Sequence, residues 1–134
     1  MNPILRNILA VIAGWIAGSI VNFGLVQTGY AVLPIEGVDV NDLEALAAAM
    51  PGLSFEYFIF PFLAHALGTL VGAFTAAYIA VGNKKMMAYI VGVLFLLGGI
   101  AASFMIPAPE WFIAADLLLA YFPMAWIGGR LVKN

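Results

Sequence analysis

Four long apolar runs dominate the pattern of hydrophobic and polar positions along this chain. They cover residues 4–29, 57–81, 86–106 and 112–132. Each run meets the roughly 20 apolar residues that an α-helix needs to cross a bilayer. The runs are continuously apolar, whereas the strands of a membrane barrel alternate in hydrophobicity over about ten residues. The pattern therefore predicts an all-α integral membrane protein in which residues 1–134 form one four-helix bundle.

The amino-acid composition excludes an ordinary soluble domain. Of the 134 residues, 65% are hydrophobic and only 9% are charged, compared with about 25% charged residues in a typical soluble protein. So few charges cannot cover a water-exposed surface without leaving large apolar patches. We therefore expect the apolar surface of this chain to be in contact with membrane lipid.

The charged residues are completely segregated along the chain. The five basic residues lie near the two ends or between the second and third runs: Arg6, Lys84, Lys85, Arg130 and Lys133. The seven acidic residues lie in or beside the other two connections: Glu36, Asp39, Asp42, Glu44, Glu56, Glu110 and Asp116. Because Lys and Arg are retained in the cytoplasm, we expect both termini to be cytoplasmic and the protein to reside in the cytoplasmic (inner) membrane. The first run is longer than the core of a secretory signal, so we expect this helix to be retained.

The long connection, residues 30–56, carries a helical pattern of its own. Asn41-x-x-Glu44 has the form of a capping box, and Pro51 ends the pattern. The apolar positions follow helical spacing, at Leu43, Leu46, Ala47 and Met50. We therefore predict a short amphipathic helix in this first extracytoplasmic loop, either covering the bundle as a lid or anchoring the loop to the membrane surface.

Small residues recur every four positions on the first two membrane helices. The stripes are Ala10, Gly14 and Gly18 on the first helix and Ala64, Gly68, Gly72, Ala76 and Ala80 on the second. Small side chains let helix backbones approach closely in lipid. We expect the glycines of the two stripes to pack against each other or toward the bundle centre. The alternative is a seam to a second copy or to another membrane protein.

Each of the four helices carries a polar residue in the half nearer the acidic connections. These residues are Asn22, His65, Ser103 and Asp116. Polar groups are costly in hydrocarbon, so we expect them to face inward and meet. Thr69, one turn from His65, and Tyr121, five residues after Asp116, extend this polar path.

A purely structural role is the alternative for each polar residue. His65 would then donate to a backbone carbonyl and Asp116 would cap its helix, whereas Asn22 and Ser103 would make interhelical hydrogen bonds. Pro61 and Pro123 lie in the helices that carry His65 and Asp116. Because proline removes a backbone donor, we expect both helices to bend and to open a pocket between them.

Several kinds of chemistry are disfavoured by the residues that the chain lacks. It has no cysteine and one histidine, so disulfides, iron–sulfur clusters, thiolate zinc sites and bis-histidine haem are excluded. The net charge of −2 gives no indication of nucleic-acid binding. No catalytic motif is present. We expect no enzyme activity, no cofactor and no metal.

Two functions fit these features. In the first, the protein binds or transports a small solute, ion or lipophile through a pocket formed by the polar residues. In the second, it is a non-catalytic structural or accessory subunit whose small-residue stripes pack against a larger membrane complex.

Overall fold

The computed structural model describes residues 1–133, which contain helices and no strands. The helices are α1 (Pro3–Val32), α2 (Leu43–Ala49), α3 (Ile59–Ile79), α4 (Lys84–Met105), α5 (Glu110–Leu119) and α6 (Phe122–Arg130). Four helical segments are long and apolar enough to cross a membrane: Pro3–Val32, Phe55–Ile79, Lys84–Met105 and Glu110–Arg130. The predicted all-helical fold with four helices of membrane-spanning length is thereby confirmed.

The central element of the bundle is α3, which packs against α1, α4 and α6. Its buried positions are almost all small: Ala64, Ala66, Gly68, Thr69, Gly72, Ala73, Ala76 and Ala77. Because little side-chain volume separates its backbone from its neighbours, three helices approach α3 closely at once.

The contact between α1 and α3 joins the two glycine stripes in antiparallel register. Gly14 lies against Gly72, and Gly18 lies against Gly68. A Cβ atom added at Gly72 would lie 2.7 Å from the carbonyl oxygen of Gly14. One side chain at any of these positions would therefore force the two backbones apart.

Similar small-residue contacts fix α6 to α4 and α3. A Cβ atom at Gly92 of α4 would lie 2.6 Å from the Cβ of Ala125, and one at Gly128 of α6 would lie 2.7 Å from the carbonyl oxygen of Leu70 in α3. The same packing principle thus joins all four membrane-length segments.

The carboxyl end of α3 is fastened to the start of α1 by side-chain hydrogen bonds. Arg6 donates from Nε to the carbonyl oxygen of Ile79 at 2.7 Å. Asn7 donates to the Val81 carbonyl at 3.0 Å and accepts from the Val81 amide at 2.8 Å. These bonds satisfy backbone groups at and just beyond the end of α3. The positive charge of Arg6 also lies at the negative end of the helix dipole, where it is stabilising.

The loop helix α2 is capped by a different residue from the one that the sequence pattern indicated. The carboxylate of Asp42 accepts from the amides of Glu44 and Ala45 at 3.1 and 3.2 Å. The prediction of Asn41 as the cap was wrong, because Asp42 lies one residue closer to these amides and supplies the oxygen that they need. Within α2, Leu46 is the buried residue.

Pro61 and Pro123, the two prolines that were expected to bend their helices, both lie near the start of a helix. Pro123 lies in the first turn of α6, and helical geometry is interrupted just before it, at Ala120 and Tyr121. Pro61 lies in the first turn of α3, directly after a 3₁₀ turn at Phe55–Phe58. An amide in a first turn has no partner within its helix, so proline is accommodated there. Within the second membrane-length segment, Pro61 thus lies near the start, just after the change from 3₁₀ to α-helical geometry.

Replacing Gly72 with Leu tests the α1–α3 contact. We expect the free energy of unfolding to fall by about 1–3 kcal/mol, because the new side chain overlaps the α1 backbone. Gly24→Leu is the matched control, since a side chain there meets nothing within 4 Å. Reversible unfolding in mixed micelles measures both variants, and equal stability of the two would contradict the packing described here.

Candidate binding site around His65 and Asp116

His65 of α3 and Asp116 of α5 are in direct contact. The distance between His65 Nδ1 and Asp116 Oδ1 is 2.7 Å. Asp116 is 5% exposed, so its carboxyl group lies almost entirely inside the bundle. With Asp116 ionised, Nδ1–H donates to the carboxylate, which leaves Nε2 of the imidazole available to a ligand.

Tyr121 completes the group from the other side of the carboxylate. Its hydroxyl donates to Asp116 Oδ2 at 3.0 Å, and its ring stacks on the His65 ring with centroids 5.9 Å apart. Both carboxylate oxygens of Asp116 therefore accept a hydrogen bond.

The interruption between α5 and α6 accounts for the position of Tyr121. In an unbroken α-helix, residues five apart point about 140° away from each other. The helix is interrupted between Leu119 and Phe122, ahead of Pro123, and the φ and ψ angles of Tyr121 are −113° and −73°. We infer that this break turns the Tyr121 side chain back toward Asp116.

Two cavities adjoin this polar group. The first, the mouth cavity, has a volume of about 170 Å³ and is bordered by His65, Asp116, Tyr30, Ser103 and mainly apolar residues such as Phe112, Ile113 and Leu117. The second, the deep cavity, has a volume of about 200 Å³ and is bordered by Asn22, His65, Phe95, Gly98, Gly99, Ala102 and Tyr121. His65, Gly99 and Ala102 border both. The imidazole ring thus lies where the two cavities meet.

The other three predicted residues are placed differently. Asn22 borders the deep cavity, and its buried Oδ1 has no hydrogen-bond partner among the described residues. Ser103 borders the mouth cavity, but its hydroxyl donates to the Ile100 carbonyl of its own helix at 2.7 Å. Thr69 is fully buried and donates to the His65 carbonyl at 2.7 Å. Side-chain hydrogen bonds therefore join only His65, Asp116 and Tyr121.

Three residues of the site were missed by the sequence reasoning. A Cβ atom at Gly99 would overlap the Tyr121 hydroxyl, so this glycine leaves the space that the tyrosine occupies. Ala102, one turn later, keeps both cavities open. Tyr30 was assigned to the loop, but α1 continues to Val32 and carries Tyr30 to the cavity wall. The adjacent pair Gly98 and Gly99 was the available sequence signal.

Within residues 1–133, no group of three His, Cys, Asp or Glu side chains lies close enough together to hold a metal ion. Comparison with known proteins gave no match to a protein family, to a curated protein or to a solved structure. A function for this chain is therefore inferred from its own geometry.

Replacing Tyr121 with Phe tests the hydrogen bond to Asp116. We expect a loss of about 1–3 kcal/mol in unfolding free energy, because a buried carboxylate oxygen loses its donor. Tyr78→Phe is the control, since Tyr78 is 68% exposed on α3. An equal stability of the two variants in a denaturation titration would argue against the bond.

Proposed function

We propose that this protein is a membrane-embedded binding protein that binds or transports a small solute, ion or lipophile through the mouth cavity. The observation that carries the proposal is the His65–Asp116 pair, with its 2.7 Å contact, at the wall of a cavity of about 170 Å³. Ligand sites typically combine apolar walls with a few converging polar groups. An ionisable side chain within a membrane helix is a functional candidate on energetic grounds.

The lining of the mouth cavity suits an amphiphile. Phe112, Ile113 and Leu117 offer apolar surface on α5 beside the Asp116 carboxylate. A ligand that places a polar head at His65 and a hydrocarbon tail along α5 satisfies both kinds of surface. The apolar contacts of the tail with α5 and the hydrogen bond of the head group with His65 then determine the affinity of the ligand.

The alternative role as an accessory subunit loses its main support. That interpretation relied on the small-residue stripes as a seam to another protein. The glycines of these stripes lie against each other within the chain, at Gly14 with Gly72 and at Gly18 with Gly68. Because these glycines are already in contact with each other inside the bundle, they are not accessible to another protein.

For the orientation, we propose that the basic end of the bundle faces the cytoplasm and that the mouth cavity opens on the opposite side. The support is the positive-inside rule together with the position of Arg6, which contacts the end of α3 close to the Lys84 and Lys85 turn. Met50, directly after α2, borders the mouth cavity. We place α2 at the outer membrane surface as a partial cover of this cavity.

A photoreactive octanol with a diazirine on its chain tests ligand binding. We expect it to label Tyr30 in the mouth cavity more strongly than Tyr78, which is exposed to lipid. Ala102→Phe fills the space shared by both cavities and should abolish the excess at Tyr30. Mass spectrometry of protein in lipid nanodiscs locates the label.

The matched control for this experiment is Ala101→Phe on the same helix. Ala101 and Ala102 are both exposed in the isolated chain, but only Ala102 borders the cavities. Equal labelling of Tyr30 and Tyr78 in the unaltered protein would refute the binding site. Loss of labelling in both Ala variants would show that it does not depend on the cavity.

Single cysteines test the orientation, because the chain has none of its own. We expect a membrane-impermeant maleimide to label Glu36→Cys in intact cells and Lys85→Cys only after the membrane is opened. Both positions are exposed, so accessibility within the protein is matched. The reverse pattern would overturn the proposed orientation.

A further inference from the structure

The buried carboxylate of Asp116 has a single basic neighbour among the described residues, the imidazole of His65. Within residues 1–133, His65 with Asp116 is the only basic–acidic pair of side chains within 4.0 Å. With Asp116 ionised, the pair carries one negative charge when His65 is neutral and no net charge when His65 is protonated. A net charge sheltered from water is costly. The site therefore favours the presence of one positive charge, either a proton or a bound cation.

The charges around the mouth cavity favour cations over anions. All other acidic residues lie in or beside the connections at this end of the bundle: Glu36, Asp39, Asp42, Glu44, Glu56 and Glu110. The five basic residues lie at the opposite end or near the termini. Glu56 borders a small recess that shares Tyr30 and Met50 with the mouth cavity. A one-signed field at an entrance raises the local concentration of ions of opposite charge.

We propose that the ligand of the mouth cavity is a lipophilic monovalent cation such as an alkylammonium ion, and that its binding releases one proton from His65. This inference rests on the proposed function and names its ligand class. It draws on three observations: the buried Asp116 carboxylate, its titratable partner, and the apolar wall next to both.

The exchange conserves charge at each step. Before binding, protonated His65 donates from Nδ1 to Asp116 and presents Nε2–H to the cavities. The Nε2 proton leaves to water in the cavity, and the freed lone pair accepts an N–H of the ammonium group. The site holds one positive charge beside one carboxylate before and after the exchange, so no uncompensated charge is buried.

Three other titratable side chains border the cavities beside His65. Asp116 comes from α5, Tyr121 from the interruption between α5 and α6, and Tyr30 from α1, whereas α4 contributes no titratable side chain to either cavity. Glu56 is exposed beside the recess. Among the groups that border the cavities, the imidazole is the only one that becomes cationic when it is protonated.

Competition by octylammonium against the photoreactive octanol tests the exchange. We expect its apparent affinity in phosphatidylcholine nanodiscs to rise with pH, by up to about tenfold per pH unit while the unoccupied site holds its proton, because one proton must leave for each cation bound. Unlabelled octanol, which has the same chain and no charge, should compete equally at every pH. His65→Gln should remove the pH dependence for octylammonium.

Asp116→Asn provides a second variant that retains a polar side chain of the same shape. It removes the negative charge, so octylammonium should compete no better than octanol. Octylammonium competition in the unaltered protein that is independent of pH, or that strengthens as the pH falls, would overturn the cation exchange. Stronger competition by octyl sulfate than by octylammonium would overturn it too. If any of these results is obtained while Tyr30 is still labelled, the cation exchange is refuted and the proposed function stands. If Tyr30 carries no more label than Tyr78, the proposed function itself is refuted.

Discussion

Close backbone approach along α3 is the constraint on which the rest of the structure depends. Lipid supplies no hydrophobic force between helices, so association relies on packing at short range and on hydrogen bonds. Gly68 and Gly72 bring α1 to one face of α3, while Ala73 lies against Gly128 of α6 on another. This arrangement holds His65, on α3, against the α5–α6 segment that carries Asp116. The polar site is thus a product of apolar packing.

Much of this architecture could be predicted from the sequence, because its causes are periodic. The apolar runs give the four spans, and small residues at spacing four indicate the α1–α3 contact. Of the four polar residues that were expected to meet, His65 and Asp116 are in contact, whereas Asn22 and Ser103 make no side-chain hydrogen bond with them. Each of these patterns can be read along the amino-acid sequence itself, so one sequence is sufficient to recognise it.

The remaining features depend on relations between elements, which no periodicity encodes. The approach of Tyr121 to Asp116 accompanies an interruption of the helix before Pro123, which the apolar pattern of the fourth run does not indicate. The role of Gly99 becomes visible only once Tyr121 occupies the space beside it. Asp42 caps α2 in place of Asn41 because two equally suitable residues are adjacent and the chain path selects one. The local sequence pattern shows that both residues could cap the helix, but it does not show which of them does.

The antiparallel pairing of α1 with α3 has a consequence for biogenesis. Gly14 and Gly72 are 58 residues apart (72 minus 14), so at typical synthesis rates α1 waits roughly 3–12 s for its partner. During that interval α1 lacks its packing partner, and it is among the more apolar spans, as is α4. The two less apolar segments, which carry His65 and Asp116, each follow one of these. In the proposed membrane-embedded bundle, the spans that carry His65 and Asp116 would each be inserted after a more apolar span.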